Sequence, residues 1–161
     1  MYKKILYSED HLATALLIVR VGIGISFMVH GFPKLFLGGA LGLSKGLAAA
    51  GIPGGEGAAY LAGMAEFIGG LALIAGVLFR PTTAVLAFTM LVALIFHLNH
   101  GDNFITYSHA LEDGVLFVAL AVAGPGKFSI DHKWFGGEEK RLALPEEREC
   151  RAGQIPAEQA A

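Results

Sequence analysis

Four long apolar runs, separated by short polar or glycine-rich stretches, set the pattern of this chain. They cover residues 12–32, 58–79, 82–98 and 110–124, the last extending back towards Ile105. A helix needs about 20 apolar residues to cross a bilayer core, and these runs come close to that length. A soluble bundle would need a polar outer face on each helix, and these runs leave none. The pattern predicts an all-α fold: an integral-membrane, four-helix antiparallel bundle with spans near 12–32, 58–79, 82–98 and 106–124.

The breaks fix the connections. Arg80-Pro81 joins the second and third runs with almost no loop, which makes them antiparallel neighbours, and proline is well tolerated at a first helical position. Gly124-Pro125-Gly126 ends the fourth run. The glycine-rich stretch 33–57 is the longest connection, and residues 41–50 within it predict a short helix lying at the membrane interface. Residues 136–161 read as a polar, mobile tail, giving a transmembrane domain over 1–135 followed by the tail. Lys3 and Lys4 precede the first run as in a secretory signal. That run is longer than a signal core and carries Arg20, so it reads as a retained helix.

Composition sharpens this picture. Hydrophobic residues make up 54% of the chain and charged residues 16%, against roughly 25% charged in ordinary globular chains. Ten of the charged side chains fall in 136–161, so the spans are poorer still. No basic face is present for nucleic acid. The single cysteine, Cys150, lies in the tail, which gives neither an intrachain disulfide nor a CxxC motif. Lys3, Lys4, Arg80 and six Lys/Arg after Pro125 lie on the side shared by the termini, against Lys34 and Lys45 on the other. The positive-inside rule then puts both termini in the cytoplasm, with Phe128, Trp134 and Phe135 near that interface.

Charges within membrane spans are costly and face the protein interior. Arg20, Glu66 and the pair Glu112-Asp113 are of this kind. Counting from the helix ends puts Arg20 about 18 Å and Glu66 about 12 Å below the outer end of their runs, which predicts an Arg20–Glu66 ion pair, as a packing lock or as part of a functional path. Glu66 shares a helical face with Ala59, Ala62, Gly63, Gly69 and Gly70, a small-residue stripe that lets helices approach closely. Towards the outer face lie His30 and Lys34, then His97 and His100, then His109, Glu112 and Asp113. They share a depth and predict a joint polar cavity. Asp102 reads as a solvated loop residue, His100 and His109 as rim groups, and His11 and His132 as bystanders near the cytoplasmic surface.

A metal is the weaker reading of this cluster. His97 with His100, and His109 with Glu112, stand three apart as ligands on one helical turn do. Di-iron bundles, however, draw Glu-x-x-His pairs in the forward sense from several helices, and here one pair appears in reverse. Metal on His97, His100 and His109, or haem between His30 and His97, is therefore not expected.

The chain resembles the DoxX family of small bacterial membrane proteins over about residues 12–134. The resemblance rests on Arg20 followed by VHGFPK (29–34), on AEFIGGLALIAGVLFR (65–80), on His97, on SHALED (108–113) and above all on GPGKFSID (124–131). It implies four antiparallel helices in the cytoplasmic membrane. Some relatives pass electrons from thiosulfate to quinone, and others belong to complexes that protect against oxidative and thiol stress. The reading that combines resemblance and residues is a subunit of a membrane-bound, quinone-linked oxidoreductase or oxidative-stress complex. His30, Glu66, His97 and Glu112 would transfer protons, with Arg20, Lys34 and Asp113 binding the ligand. Its partners would be the lipid bilayer and other membrane or membrane-associated subunits, with a homo-oligomer as a further arrangement. The alternatives are a non-catalytic anchor or assembly subunit and, as an oligomer, a small-anion transporter.

Overall fold

The structure, a computed structural model, describes residues 9–134; the tail lies outside them. Among the described residues five helices follow in order, α1 Glu9–Phe36, α2 Gly39–Ala49, α3 Gly55–Ala75, α4 Phe79–His100 and α5 Phe104–Ala123, and residues 130–134 are helical as well. No strand occurs among the described residues. The four long helices have 20 to 28 residues, or about 30–42 Å at 1.5 Å per residue, and each is long and apolar enough to cross a membrane. Only 17–28% of each apolar window is buried inside the bundle. Large apolar side chains on all four, such as Ile18, Leu61, Phe88 and Val122, are exposed, a surface that suits lipid and not water. For clarity, the end carrying the start of α1 and the end of α5 is termed the termini end, and the opposite one the hairpin end.

The helices pack as two tight pairs, α1 with α3 and α4 with α5. Glycine makes the first pair. A methyl group on Gly24 would stand 2.7 Å from the Gly70 carbonyl oxygen, and one on Gly31 would stand 2.6 Å from the Phe67 nitrogen and 2.8 Å from the Gly63 oxygen. Gly24 and Gly31 are seven apart, as are Gly63 and Gly70, so the seam repeats every two turns along antiparallel helices. Membrane helices gain packing contact this way, since lipid removes the hydrophobic drive between them. In the termini half the two pairs meet in a core of Phe27, Leu73, Phe79, Leu86, Met90, Phe117 and Leu120. There Phe27 and Phe117 stand edge to face at 4.8 Å.

α1 runs straight through Pro33 to Phe36. It therefore extends a turn further than the apolar run alone suggests, with Lys34 inside its last turn. α2 lies across the hairpin end, burying Ala40, Ser44 and Leu47. It reaches α4 through Gly46 against Phe96 and through Asn99, whose amide donates to the Ala50 carbonyl at 3.1 Å. Asn103 caps α5, its side-chain oxygen accepting from the Thr106 N–H at 3.1 Å.

The termini end is closed by a polar clamp built from GPGKFSID. Arg20 is buried and donates to the carbonyls of Pro125, at 3.0 Å, and Phe128. Asp131 accepts from the N–H groups of Leu78 at 2.9 Å and Phe79 at 2.7 Å, so a carboxylate from beyond α5 caps the start of α4, where the helix dipole favours an anion. The Asp131 N–H returns a bond to the Gly76 carbonyl at 2.9 Å. Gly76 has φ +66, and a methyl there would fall on the Arg20 guanidinium and 2.6 Å from Ser129 Cβ, so only glycine fits.

The expected Arg20–Glu66 ion pair is not formed. Arg20 lies against the end of α3, beside Gly76, while Glu66 sits ten residues earlier on α3, facing Lys34. The glycine seam sets the register and puts Arg20 beside Gly76, and because α1 continues past Phe32, Lys34 is the helical cation opposite Glu66.

Candidate functional site

The α3–α4 side of the bundle carries an open groove of about 1130 Å³. α3 lines it with small residues, among them Ala62, Ala65 and Gly69, and α4 with Val85, Phe88, Val92 and Phe96. Leu43 and Leu47 of α2 cover its hairpin end. From His97 to Thr82 it follows α4 for roughly 22 Å. Its lining is almost wholly apolar; the polar groups on it are Lys34, Glu66, Thr82, Thr89 and His97.

Three of these gather at the hairpin half. Lys34 Nζ stands 2.5 Å from both carboxylate oxygens of Glu66. The Glu66 side chain is 6% exposed and that of Lys34 25%, so the carboxylate is enclosed and the ammonium reaches the groove. Gly63 makes room for the lysine stem: a methyl there would stand 2.9 Å from Lys34 Cβ. Two ammonium N–H groups satisfy Glu66. The third has no protein acceptor among the described hydrogen bonds, which leaves a charged donor beside an apolar groove.

His97 forms the other polar wall. Its Nδ1 is 2.7 Å from Asp102 Oδ2, and its ring stands edge-on to Phe96 at 5.1 Å. Asp102 was expected to be a solvated loop residue, and this expectation is corrected. Gly101, at φ +77, closes α4 in a left-handed turn, and the Asp102 N–H then bonds the His97 carbonyl at 3.1 Å. This six-to-one closure swings the aspartate back over the last turn of its own helix. Glycine directly after the helix was the signal for it.

The remaining predicted residues do not join this groove. His30 is exposed and its Nδ1 lies 2.9 Å from the Ser26 carbonyl. Asp113 is half-buried on α5, within the electrostatic reach of His109, His30 and Glu112. The expected single cavity is therefore two separate groups, one on the groove and one between α1 and α5. Glu112, expected at membrane depth beside His97, is exposed and absent from the groove lining. The two differ because α3 and α5 lie on opposite sides of α1 and α4, so equal depth does not bring their side chains together. His100 stacks on Phe96 at 5.4 Å, and His109 is exposed. Among the described residues, no three His, Cys, Asp or Glu side chains are grouped to hold a metal ion.

The DoxX family model matches residues 15–99, from early α1 to the end of α4, and so includes Lys34, Glu66 and His97. The chain is 36% identical to "Inner membrane protein YqjF" of Escherichia coli (strain K12) over 125 residues, 73% of this chain and 93% of that protein. It is 30% identical to "Inner membrane protein YphA" of the same organism over 128 residues, 73% of this chain and 89% of that protein. No solved structure matches it. With four membrane-length helices in place and more than half the chain matched, the protein belongs to the DoxX family and is a multi-pass inner-membrane protein.

Proposed function

We propose that this chain is the quinone-binding membrane subunit of an oxidoreductase or oxidative-stress complex, with both termini in the cytoplasm. The observation that carries the reading is the Lys34–Glu66 pair set in the wall of an otherwise apolar groove. An apolar groove about 22 Å long, opening sideways to the bilayer, suits a molecule with a small polar head and a long apolar tail. Small residues on α3 leave space for the tail, and the head would lie at the hairpin half, where the polar liners gather.

The chemistry agrees. Reduction of a quinone consumes two electrons and two protons, so its site needs acid–base groups and a cation near the carbonyl oxygens. Lys34 offers an unengaged N–H and a fixed positive charge where negative charge develops, which is most effective away from water. Glu66 keeps that charge in place, and His97 offers a ring nitrogen that can give or take a proton. Electrons would come from a partner protein at the membrane. The excess of Lys and Arg at the termini end orients that end to the cytoplasm and the head-group half of the groove to the opposite face.

The test is binding of a short-tailed benzoquinone to the full-length protein in lipid nanodiscs. Saturable binding is expected, weakened at least tenfold in Glu66→Gln. Equal binding by the wild type and Glu66→Gln, or none by either, overturns the reading. Loss of complex assembly with quinone binding intact would point instead to an anchoring subunit.

A further inference from the structure

We propose that Asp102 and His97 form a proton port, with Asp102 as a positioning residue that presents His97 Nε2 to the head of whatever hydroxyl- or carbonyl-bearing ligand occupies the groove. This rests on reading the groove as a quinone site.

The geometry is locally complete. His97 and Asp102 exchange two bonds across the end of α4: the Asp102 N–H donates to the His97 carbonyl, and the carboxylate faces His97 Nδ1 at 2.7 Å. An aspartate carboxylate accepts only, so Nδ1 carries the hydrogen and Nε2 is left as the free acceptor. Turning the ring over would cost the bond between Nδ1 and the carboxylate. Asp102 is 29% exposed at the hairpin end, while His97 lines the groove. One pair of side chains thus touches both the watery surface and the membrane-facing cavity.

The charged groups around His97 are Asp102 from the α4–α5 loop, bonded to its ring, and Lys34 of α1 and Glu66 of α3, which line the same groove. α2 contributes only Leu43 and Leu47 to the lining. His100 lies one turn on and stacks on Phe96. In the deprotonating direction, the ligand O–H bond breaks and a bond from its hydrogen to His97 Nε2 forms. The imidazolium is held by the Asp102 carboxylate, and the oxygen left negative is held by Lys34. The imidazolium then passes its Nδ1 proton by way of Asp102 to water at the hairpin end, which leaves the hydrogen on Nε2, and a turn of the ring restores the Nδ1–H form. The reverse order delivers a proton to the ligand.

The test is nitrogen-15 NMR of full-length, histidine-labelled protein in bilayers, first without ligand. His97 is expected as the Nδ1–H form, and Asp102→Ala is expected to lose that form in favour of Nε2–H while the backbone bond to His97 keeps the turn folded. An Nε2–H form in the wild type, or no change in Asp102→Ala, overturns the port whatever the groove binds. A short-tailed benzoquinol is then added; it is expected to shift His97 Nε2 and Lys34 Nζ together. A shift of Lys34 alone overturns the port and leaves the quinone reading standing. No shift of either overturns the quinone reading, and the port with it.

Discussion

Lys34 and Glu66 meet across the α1–α3 seam, the ammonium 2.5 Å from both carboxylate oxygens. With Glu66 enclosed, removing its partner leaves a buried charge. Lys34→Met is therefore expected to destabilise the bundle by about 3 kcal/mol, and the double variant Lys34→Met/Glu66→Gln by clearly less, since replacing both partners removes the stranded charge. Unfolding of Lys34→Met, Glu66→Gln and the double variant in one lipid composition checks this. Additive losses would mean that the pair is not coupled.

The glycine seam makes a sharper distinction. Gly70→Ala places a methyl 2.5 Å from the Gly24 oxygen, and Gly24→Ala places one 2.7 Å from the Gly70 oxygen. Both neighbours are backbone, so the helices must separate, at a cost of about 2 kcal/mol each. Gly22→Ala is the control: it sits in the same helix with nothing within 4 Å of the added methyl, and is expected to be neutral or to stabilise by up to about 1 kcal/mol. Thermal denaturation in bilayers separates the two outcomes.

The clamp at the termini end predicts that arginine is needed for shape and not only for charge. Arg20 donates from two guanidinium nitrogens to two carbonyls, and lysine lacks that planar fork. Arg20→Lys is expected to loosen the segment 124–131, read as faster amide exchange there with the α1–α3 seam unchanged. Asp131→Ala removes the cap of α4 and is expected to cost about 1 kcal/mol, with exchange rising first at Phe79.

Filling the groove tests access. Ala65 lines it from α3, and Ala65→Leu projects a larger apolar side chain into open space. Benzoquinone binding is expected to fall at least tenfold while thermal stability holds. Unchanged binding would place the ligand elsewhere.

The four membrane helices were legible because apolar length alone decides which segments cross a bilayer. The partner of Arg20 was not. Gly31-Phe32-Pro33 reads as an end to a helix, yet α1 passes through Pro33 to Phe36, and the added turn carries Lys34 onto the helix as the cation opposite Glu66. Asp102 was hidden for a similar reason. A polar residue after glycine reads as loop, and only the left-handed turn at Gly101 returns it to His97. Residues whose partners are set by helix register or loop closure stayed out of reach, because a single turn alters who meets whom.

GPGKFSID fastens α1, the start of α4 and the exit from α5 through Arg20 and Asp131. Such a joint works as a cable gland. A pull on Asp131 passes to the start of α4, where Leu78 also lines the groove, so strain on the gland would reach the groove's termini end before the Lys34–Glu66 pair.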